Sequence, residues 1–211
     1  MKPTLYHAAQ STCSQKVRLA LAEKSVDFDS TELNLIAGDQ HRADYRALNP
    51  NGVVPTLVNG DDVVIESTII NEYIDDTFAD QPLRPADAGD RARMRLWTKR
   101  LDDSVHPQIV VMSFCVAFRM NFVGAPPEKL DAFVSGFADP QKEANMRAMV
   151  EQGVKAPVFA QAVKFYDALL ADMEALLSRQ EWLAGEDYSL ADIGYAPYLT
   201  RLSHLGLGDW W

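Results

Sequence analysis

The sequence predicts a small α/β domain over residues 1–80 and an all-helical domain over residues 88–211, joined by a linker at 81–87. Three observations predict this. Strand-like and helix-like segments alternate through the first part in the order βαβαββα, which requires a mixed sheet with helices packed on it. Asp80-Gln81-Pro82-Leu83-Arg84-Pro85-Ala86-Asp87 carries two prolines and reads as a connection. Beyond it only helical periodicities remain.

In chain order, Thr4 to His7 suggests a strand, and Gln15 to Lys24 a helix with Val17, Leu19, Ala20 and Leu21 toward a core. Phe28 to Leu33 suggests a second strand and Asp39 to Leu48 a short helix. Asn49-Pro50-Asn51-Gly52 contains two turn signals, and Val54-Pro55 then opens the strand Thr56-Leu57-Val58. Proline is tolerated at the first residue of a strand, where it removes a ladder donor only at the edge. A cis Val54-Pro55 bond would face the Val54 backbone groups outward, toward a ligand rather than a neighbouring strand. Val63-Val64-Ile65 forms another strand, and Glu66-Ser67 precedes a helix from Thr68 to Phe78, which places Ser67 at its N-cap. Free amides and the helix dipole favour an anion there. Outward backbone beside a helix N-terminus suits something extended and acidic.

In the second part, Met94, Trp97, Leu101, Val105, Ile109 and Met112 recur every three or four residues, as in a long amphipathic helix. Pro107 should kink it, having no N–H for the carbonyl four residues back. Ala125-Pro126-Pro127 interrupts, and Pro140 to about Val154 and Pro157 to about Ser178 read as further helices. Tyr188-Ser189-Leu190-Ala191-Asp192-Ile193 is the best-specified helix start. Ser189 is placed to cap the N3 amide, Asp192 to return the bond, and Tyr188 to staple onto Ile193. The chain stops at Trp210-Trp211 with no closing helix of its own.

Bulk composition excludes several function classes. A formal charge of −10 argues against nucleic acid as a partner, which needs a basic surface. No apolar run reaches the roughly 18 residues of a membrane span, and Met1 to Tyr6 reaches a strand too soon for a signal peptide. Cys13 and Cys115 lie far apart and suggest no disulfide framework. These features read as a cytoplasmic protein. Four histidines, none at ligand spacing, build no obvious metal site.

Four segments could carry chemistry. Ser11-Thr12-Cys13-Ser14 stands between the first strand and first helix, where hydroxyl residues are first of all good N-caps. It offers more hydroxyls than one cap requires, so a second use is stabilising a thiolate. A free thiol of pKa about 8.5 is mostly protonated at neutral pH. Lowering it by two units takes about 2.7 kcal/mol, within reach of one charge-assisted hydrogen bond of roughly 1.5–3 kcal/mol plus the helix dipole. Cys13 itself is a rival thiol, since helix N-termini lower cysteine pKa, but no Cys-x-x-Cys accompanies it. His106 beside Pro107 could serve as an acid or base. Arg91, Arg93, Arg95, Lys99 and Arg100 read as a solvated basic face or an interface. Met112, Phe114, Cys115, Phe118 and Met120 read as core or as the wall of an apolar pocket.

Taken in order, Ser11-Thr12-Cys13-Ser14 before Val17-Arg18-Leu19-Ala20-Leu21, then Asn49-Pro50-x-Gly52-x-Val54-Pro55, then Glu66-Ser67, and finally the Ser189–Asp192 box resemble the cytosolic glutathione transferases. Within that family, Ser11-x-Cys13-Ser14 looks like the zeta class, whose reactions include isomerisation and dehalogenation. Glu66-Ser67-Thr68-Ile69-Ile70-x-Glu72-Tyr73, Leu83-Arg84-Pro85-Ala86-Asp87 and Met94-Arg95-x-Trp97-Thr98-Lys99 are closer to bacterial β-etherases, which use glutathione to cleave aryl ethers.

The resemblance implies a thioredoxin-like domain followed by a helical one, with glutathione as cosubstrate. By the family pattern Val54, before a cis Pro55, pairs its backbone with the cysteinyl part. Glu66 and Ser67 hold the γ-glutamyl amine and carboxylate, and Gln40 or His41 reaches the glycyl carboxylate. Ser11 stands where serine-type members keep the thiolate-activating hydroxyl, with Ser14 as the alternative. The partner is an apolar, aromatic electrophile, and the assembly a homodimer. A Cys13-dependent thiol reductase and a non-catalytic ligand-binding protein stay open as alternatives.

Overall fold

A computed structural model describes residues 2–78, 81–135 and 139–210. The expectations that fall on Met1, Asp80 and Trp211 lie outside the described residues. The elements of the first part run β1 (Thr4–His7), α1 (Thr12–Glu23), β2 (Asp29–Glu32), α2 (Ala43–Leu48), β3 (Thr56–Asn59), β4 (Asp62–Ile65) and α3 (Ser67–Thr77). The expected βαβαββα order is therefore present. The sheet has the order β2-β1-β3-β4. β1 is parallel to β2, with Leu5 opposite Ser30, and antiparallel to β3, with Leu5 opposite Leu57. β4 returns antiparallel on β3. Leu5, Val17, Leu21, Leu57, Ile70 and Ile74 are fully buried, and α1 packs on α3.

Three sequence expectations shift, each for a local reason. α1 starts at Thr12 rather than Gln15 because Ser11 takes the N-cap and accepts a hydrogen bond from the Ser14 amide. The single helix expected over 39–48 is two pieces: a 3₁₀ turn at Asp39–His41, then α2 after Arg42 turns extended to cap it. The kink expected at Pro107 is instead a π-helical turn at Leu101–Val105, between α4 (Ala88–Arg100) and α5 (His106–Val116). Pro107 falls in the first turn of α5, where its missing N–H costs little, and the wide turn before it absorbs the mismatch.

Four further helices follow: α6 (Pro127–Val134), α7 (Pro140–Gln152), α8 (Pro157–Leu177) and α9 (Leu190–His204). α6 begins at the Pro126-Pro127 pair that the sequence marked only as a break. Ser189 caps α9 at the Ala191 amide rather than at N3, and Asp192 accepts from the Ser189 amide and hydroxyl. Tyr188 stacks edge-on against Trp182, with ring centroids 5.0 Å apart.

Contacts group the chain into two compact units, Met1–Lys99 with Gln180–Leu199, and Arg100–Arg179 with Thr200–Trp211. The first unit thus takes in most of α4 and α9, which the sequence reading assigns to the helical part. The segment read as a linker is pinned within it. Lys24 Nζ donates to the Gln81 carbonyl, the Leu83 amide donates to Asp75, and Leu83 accepts from the Leu190 amide. The arginines of α4 are likewise committed: Arg91 to the Pro85 and Ala86 carbonyls, Arg93 to Asp90, and Arg95 to both Glu72 oxygens. In the second unit α5 packs on α7 and α8 around Cys115, Val134, Met146 and Met149. Met112 and Cys115 are core there, while Met120 is exposed. Among the described residues no helix is long and apolar enough to cross a membrane.

Candidate active site

The loop into β3 is held from beneath. Asn49, buried at the end of α2, donates from Nδ2 to the Val53 carbonyl (2.9 Å) and to Thr56 Oγ1 (3.0 Å). The Tyr45 hydroxyl donates to the same carbonyl (2.5 Å), and burial raises the phenol pKa and keeps it a neutral donor. The Val53 carbonyl is thereby saturated on the inside. The next residue differs. Among the described residues no hydrogen bond uses the Val54 amide or carbonyl, while its side chain packs with Ala8 and Tyr45. The Val54–Pro55 peptide is cis. An N–H and a C=O of one residue, both unpaired, are what an antiparallel partner residue engages.

The sequence places Ser67 at the N-cap of α3, but the cap is Glu66 and Ser67 is the first helical residue. The Glu66 carbonyl already accepts the first helical bond, from the Ile70 amide (2.8 Å), which defines a cap. Glu66 does this at φ +67°, a region that non-glycine residues seldom occupy and that clusters at binding sites. Its carboxylate makes no cap bond and instead accepts from Asn51 Nδ2 (3.4 Å). The first-turn amides of α3 are left without a side-chain cap. Ser67 is 7 % exposed, and its hydroxyl has no partner among the described residues.

At the N-terminus of α1 the four candidates separate. Ser11 is half-buried and caps the helix by accepting from the Ser14 amide (3.2 Å), which leaves its hydroxyl proton to donate. Ser14 is turned inward, 0 % exposed, with Oγ accepting from the Ala8 amide (3.3 Å). Cys13 is half-buried, with Sγ 3.6 Å from the Tyr198 hydroxyl on α9. The other thiol, Cys115, is buried in the second unit, and desolvation pushes its pKa up to about 11.

Gln40 and His41 sit on the 3₁₀ turn, against the Asn51-Gly52 bend. Gly52 has φ +62°, and a Cβ there would stand 3.1 Å from His41 Nδ1 and 3.3 Å from the Gln40 carbonyl. Both the φ and the close approach require glycine. Gln40 Nε2 donates to His41 Nε2 (3.1 Å), while the buried Gln40 Oε1 has no partner among the described residues. The bend thus brings Gln40, His41, Val54 and Glu66 around one loop, and Ala8, which packs on Val54, accepts from the Ser11 amide (3.1 Å).

Three contributors escaped the sequence reading. Asn49 reads only as a turn former, and Tyr45 carries no local signal. Lys16, 1 % exposed, donates to Thr68 Oγ1 (2.7 Å) in the first turn of α3. A signal existed for it: Lys16, Ala20 and Lys24 follow at intervals of four on the buried face of α1.

The family described as glutathione S-transferase, N-terminal domain, matches residues 10–77. Glutathione S-transferase 3 of Zea mays is 32% identical over 200 residues, covering 93% of this chain and 77% of its own. Glutathione S-transferase Z2 of Arabidopsis thaliana is 42% identical, but over only 43% of this chain and 41% of its own, so the chain spans less than half of that relative. The crystal structure of beta-etherase LigF from Sphingobium sp. strain SYK-6 superposes with a TM-score of 0.86 at 28% identity, over 100% of this chain and 88% of that one. With a thioredoxin-like mixed sheet, and with 32% identity to a glutathione S-transferase of which it covers 77%, the chain belongs to the glutathione S-transferases.

Proposed function

We propose that this glutathione S-transferase ionises bound glutathione with the Ser11 hydroxyl and transfers the sulfur to an apolar, aromatic electrophile. The observation that carries the reading is Val54, whose amide and carbonyl are unpaired between the Ser11 cap and the uncapped start of α3. The cysteinyl residue of glutathione pairs with Val54. Its γ-glutamyl amine meets Glu66, and its α-carboxylate meets Ser67 and the α3 amides. The glycyl carboxylate is left for Gln40 or for the Nδ1–H of His41. Ser11 donates to the sulfur while its oxygen accepts from Ser14, so the hydroxyl is oriented before the thiol ionises.

β-Aryl ether cleavage is the substrate reading we favour, supported by the likeness to the beta-etherase over the whole chain. The thiolate attacks the carbon bearing the aryloxy group, a C–S bond forms, and the C–O bond breaks. The electron pair leaves on a phenolate, which takes up a proton. A second reading, isomerisation or dehalogenation, is supported by the higher but partial identity to the Z2 relative. Incubation with glutathione and a model β-aryl ether should release one phenol and one glutathione thioether per turnover. Absence of phenol, with turnover of a haloacid or a cis-dienoic acid instead, selects the second reading.

A Cys13-dependent reductase is the weaker alternative, because Cys13 is half-buried toward Tyr198 while Ser11 holds the cap position. Cys13→Ala should leave ether cleavage unchanged. A ligand-binding role without catalysis would show as glutathione binding with no product from any of these substrates. Cytoplasmic residence fits two free cysteines. A homodimer fits Ile69 on α3 and Leu96 on α4, both exposed and apolar, and sedimentation of Leu96→Glu against the parent chain tests it.

A further inference from the structure

We propose that Arg18 is a positioning residue for Ser11, and that it holds the loop before α1 only while His7 is neutral; the inference rests on the role given to Ser11 above. The loop after β1 leads into α1, and Ser11 hangs on it through its amide, which donates to the Ala8 carbonyl (3.1 Å). Arg18 lies a helical turn beyond Ser14. Helix side chains lean toward the N-terminus, which carries the guanidinium back to the loop. There Nη1 donates to the Ala8 carbonyl (3.4 Å) and Nη2 to the Ala9 carbonyl (3.3 Å). Gln15 Nε2 shares the Ala9 carbonyl (3.1 Å), the Ala9 amide donates to Glu32 Oε1 (3.3 Å), and the Ala8 amide to Ser14 Oγ (3.3 Å). The amides and carbonyls of Ala8 and Ala9 are thus all engaged, although Ala9 is exposed. Connecting segments are ordinarily mobile; this one is fastened from both α1 and β2.

A further contact of the guanidinium sets the condition. Arg18 Nη1 also lies 3.0 Å from His7 Nδ1, and His7 Nε2 lies 2.7 Å from Ser30 Oγ. An arginine can only donate, so Nδ1 accepts as an unprotonated nitrogen and the ring proton sits on Nε2, toward Ser30. A proton on Nδ1 removes that acceptor and sets an imidazolium against a guanidinium. The charged groups facing His7 are Arg18 from α1 and Glu32 from β2; burial and then Arg18 lower its pKa, and Glu32 opposes them. His7 is therefore neutral at neutral pH, and acid releases Arg18 from the loop that carries Ser11.

The test reads the thiolate difference absorbance of bound glutathione against pH in the parent chain, Arg18→Met, Arg18→Lys and His7→Asn. Affinity for S-methylglutathione, which has no thiol to ionise, is measured alongside by calorimetry. Arg18→Met should raise the bound thiol pKa and lower the thiolate roughly tenfold at a pH below it, while S-methylglutathione binds as it does to the parent. Arg18→Lys keeps the charge but has a single donor head for the His7, Ala8 and Ala9 acceptors, so it should show part of the rise. In the parent chain the thiolate should vanish over a narrower pH range than a single ionisation spans, because protonating His7 also displaces Ser11. His7→Asn, which accepts from Arg18 at any pH, should follow a single ionisation. A purely electrostatic imidazolium broadens the parent titration instead, since it favours a thiolate. An unchanged thiol pKa in Arg18→Met, or a rise accompanied by loss of S-methylglutathione binding, overturns the positioning role. If Arg18→Met fails to fold, Arg18→Lys carries the comparison, and a thiol pKa equal to the parent's overturns it. A parent titration no narrower than that of His7→Asn overturns the role of His7. A parent chain whose bound glutathione ionises like the free thiol overturns the reading of Ser11 itself, and the failures are thus distinct.

Discussion

A serine hydroxyl donates one proton and accepts at two lone pairs, and Ser11 divides these between two tasks. One lone pair caps α1 through the Ser14 amide, and the proton is left to donate, in our proposal to the glutathione sulfur. This explains why the sequence motif could not be resolved further from composition: four polar residues in a row satisfy the same pattern, and only burial separates them. Asn49 makes the complementary case. Its turn propensity was legible, but its two bonds under Val53 and Thr56 depend on the chain folding back. Asn49→Ala should cost about 1–3 kcal/mol by removing both hydrogen bonds, leaving Tyr45 alone on Val53 and Thr56, and weaken glutathione binding, read by urea unfolding and calorimetry. His7 gives a pH prediction. Burial, then Arg18, lowers its pKa below the ordinary 6.5, since Arg18 donates to Nδ1 (3.0 Å) and Nε2 meets Ser30 Oγ (2.7 Å). The unfolded chain therefore takes up the proton first, and stability present above about pH 6.5 is lost as pH falls toward the folded-state value. His7→Gln should flatten that slope in urea midpoints measured across this range.

Between elements, the ties that matter are ionic and buried. Lys24 at the end of α1 pairs with Asp75 on α3 (3.1 Å), both side chains at most 3 % exposed, and Arg84 reaches the other Asp75 oxygen (2.8 Å). Burial alone would raise the Asp75 pKa, but the Leu83 amide, Arg84 and Lys24 outweigh it and hold the carboxyl below its ordinary value. Removing one member leaves a buried charge, so Asp75→Ala should destabilise by about 3–5 kcal/mol in urea unfolding. Periodicity revealed the helices but not these ties, and it joined what the backbone separates. Apolar spacing ran straight through Leu101–Val105, where the chain widens into a π turn ahead of Pro107. It also bridged Arg42, whose extended φ/ψ splits the expected second helix.

At the scale of the molecule, the order of strands and helices was legible because alternating and three-to-four spacings are local. Which elements share a core was not, since that depends on residues a hundred positions apart. Leu190, Ile193, Tyr195 and Tyr198 of α9 are buried in the same unit as β1. A fragment ending at Asp87 lacks these and Met94, and should show no cooperative urea transition, whereas the whole chain should. The turn and cap signals at Ser11, Asn49-Pro50, Gly52 and Pro55 were legible because each is short and local, whereas the residues packed beneath that loop were not. The second substrate was not, because its selectivity is not encoded in any comparable motif. In the proposed mechanism Ser11 ionises the glutathione held along Val54, Glu66 and Ser67. Titrating the thiolate absorbance of bound glutathione against pH tests it most directly. The parent chain should hold the thiol pKa below that of free glutathione, and Ser11→Ala should let it rise toward the free value. An unchanged titration in Ser11→Ala, with glutathione still bound, would contradict it.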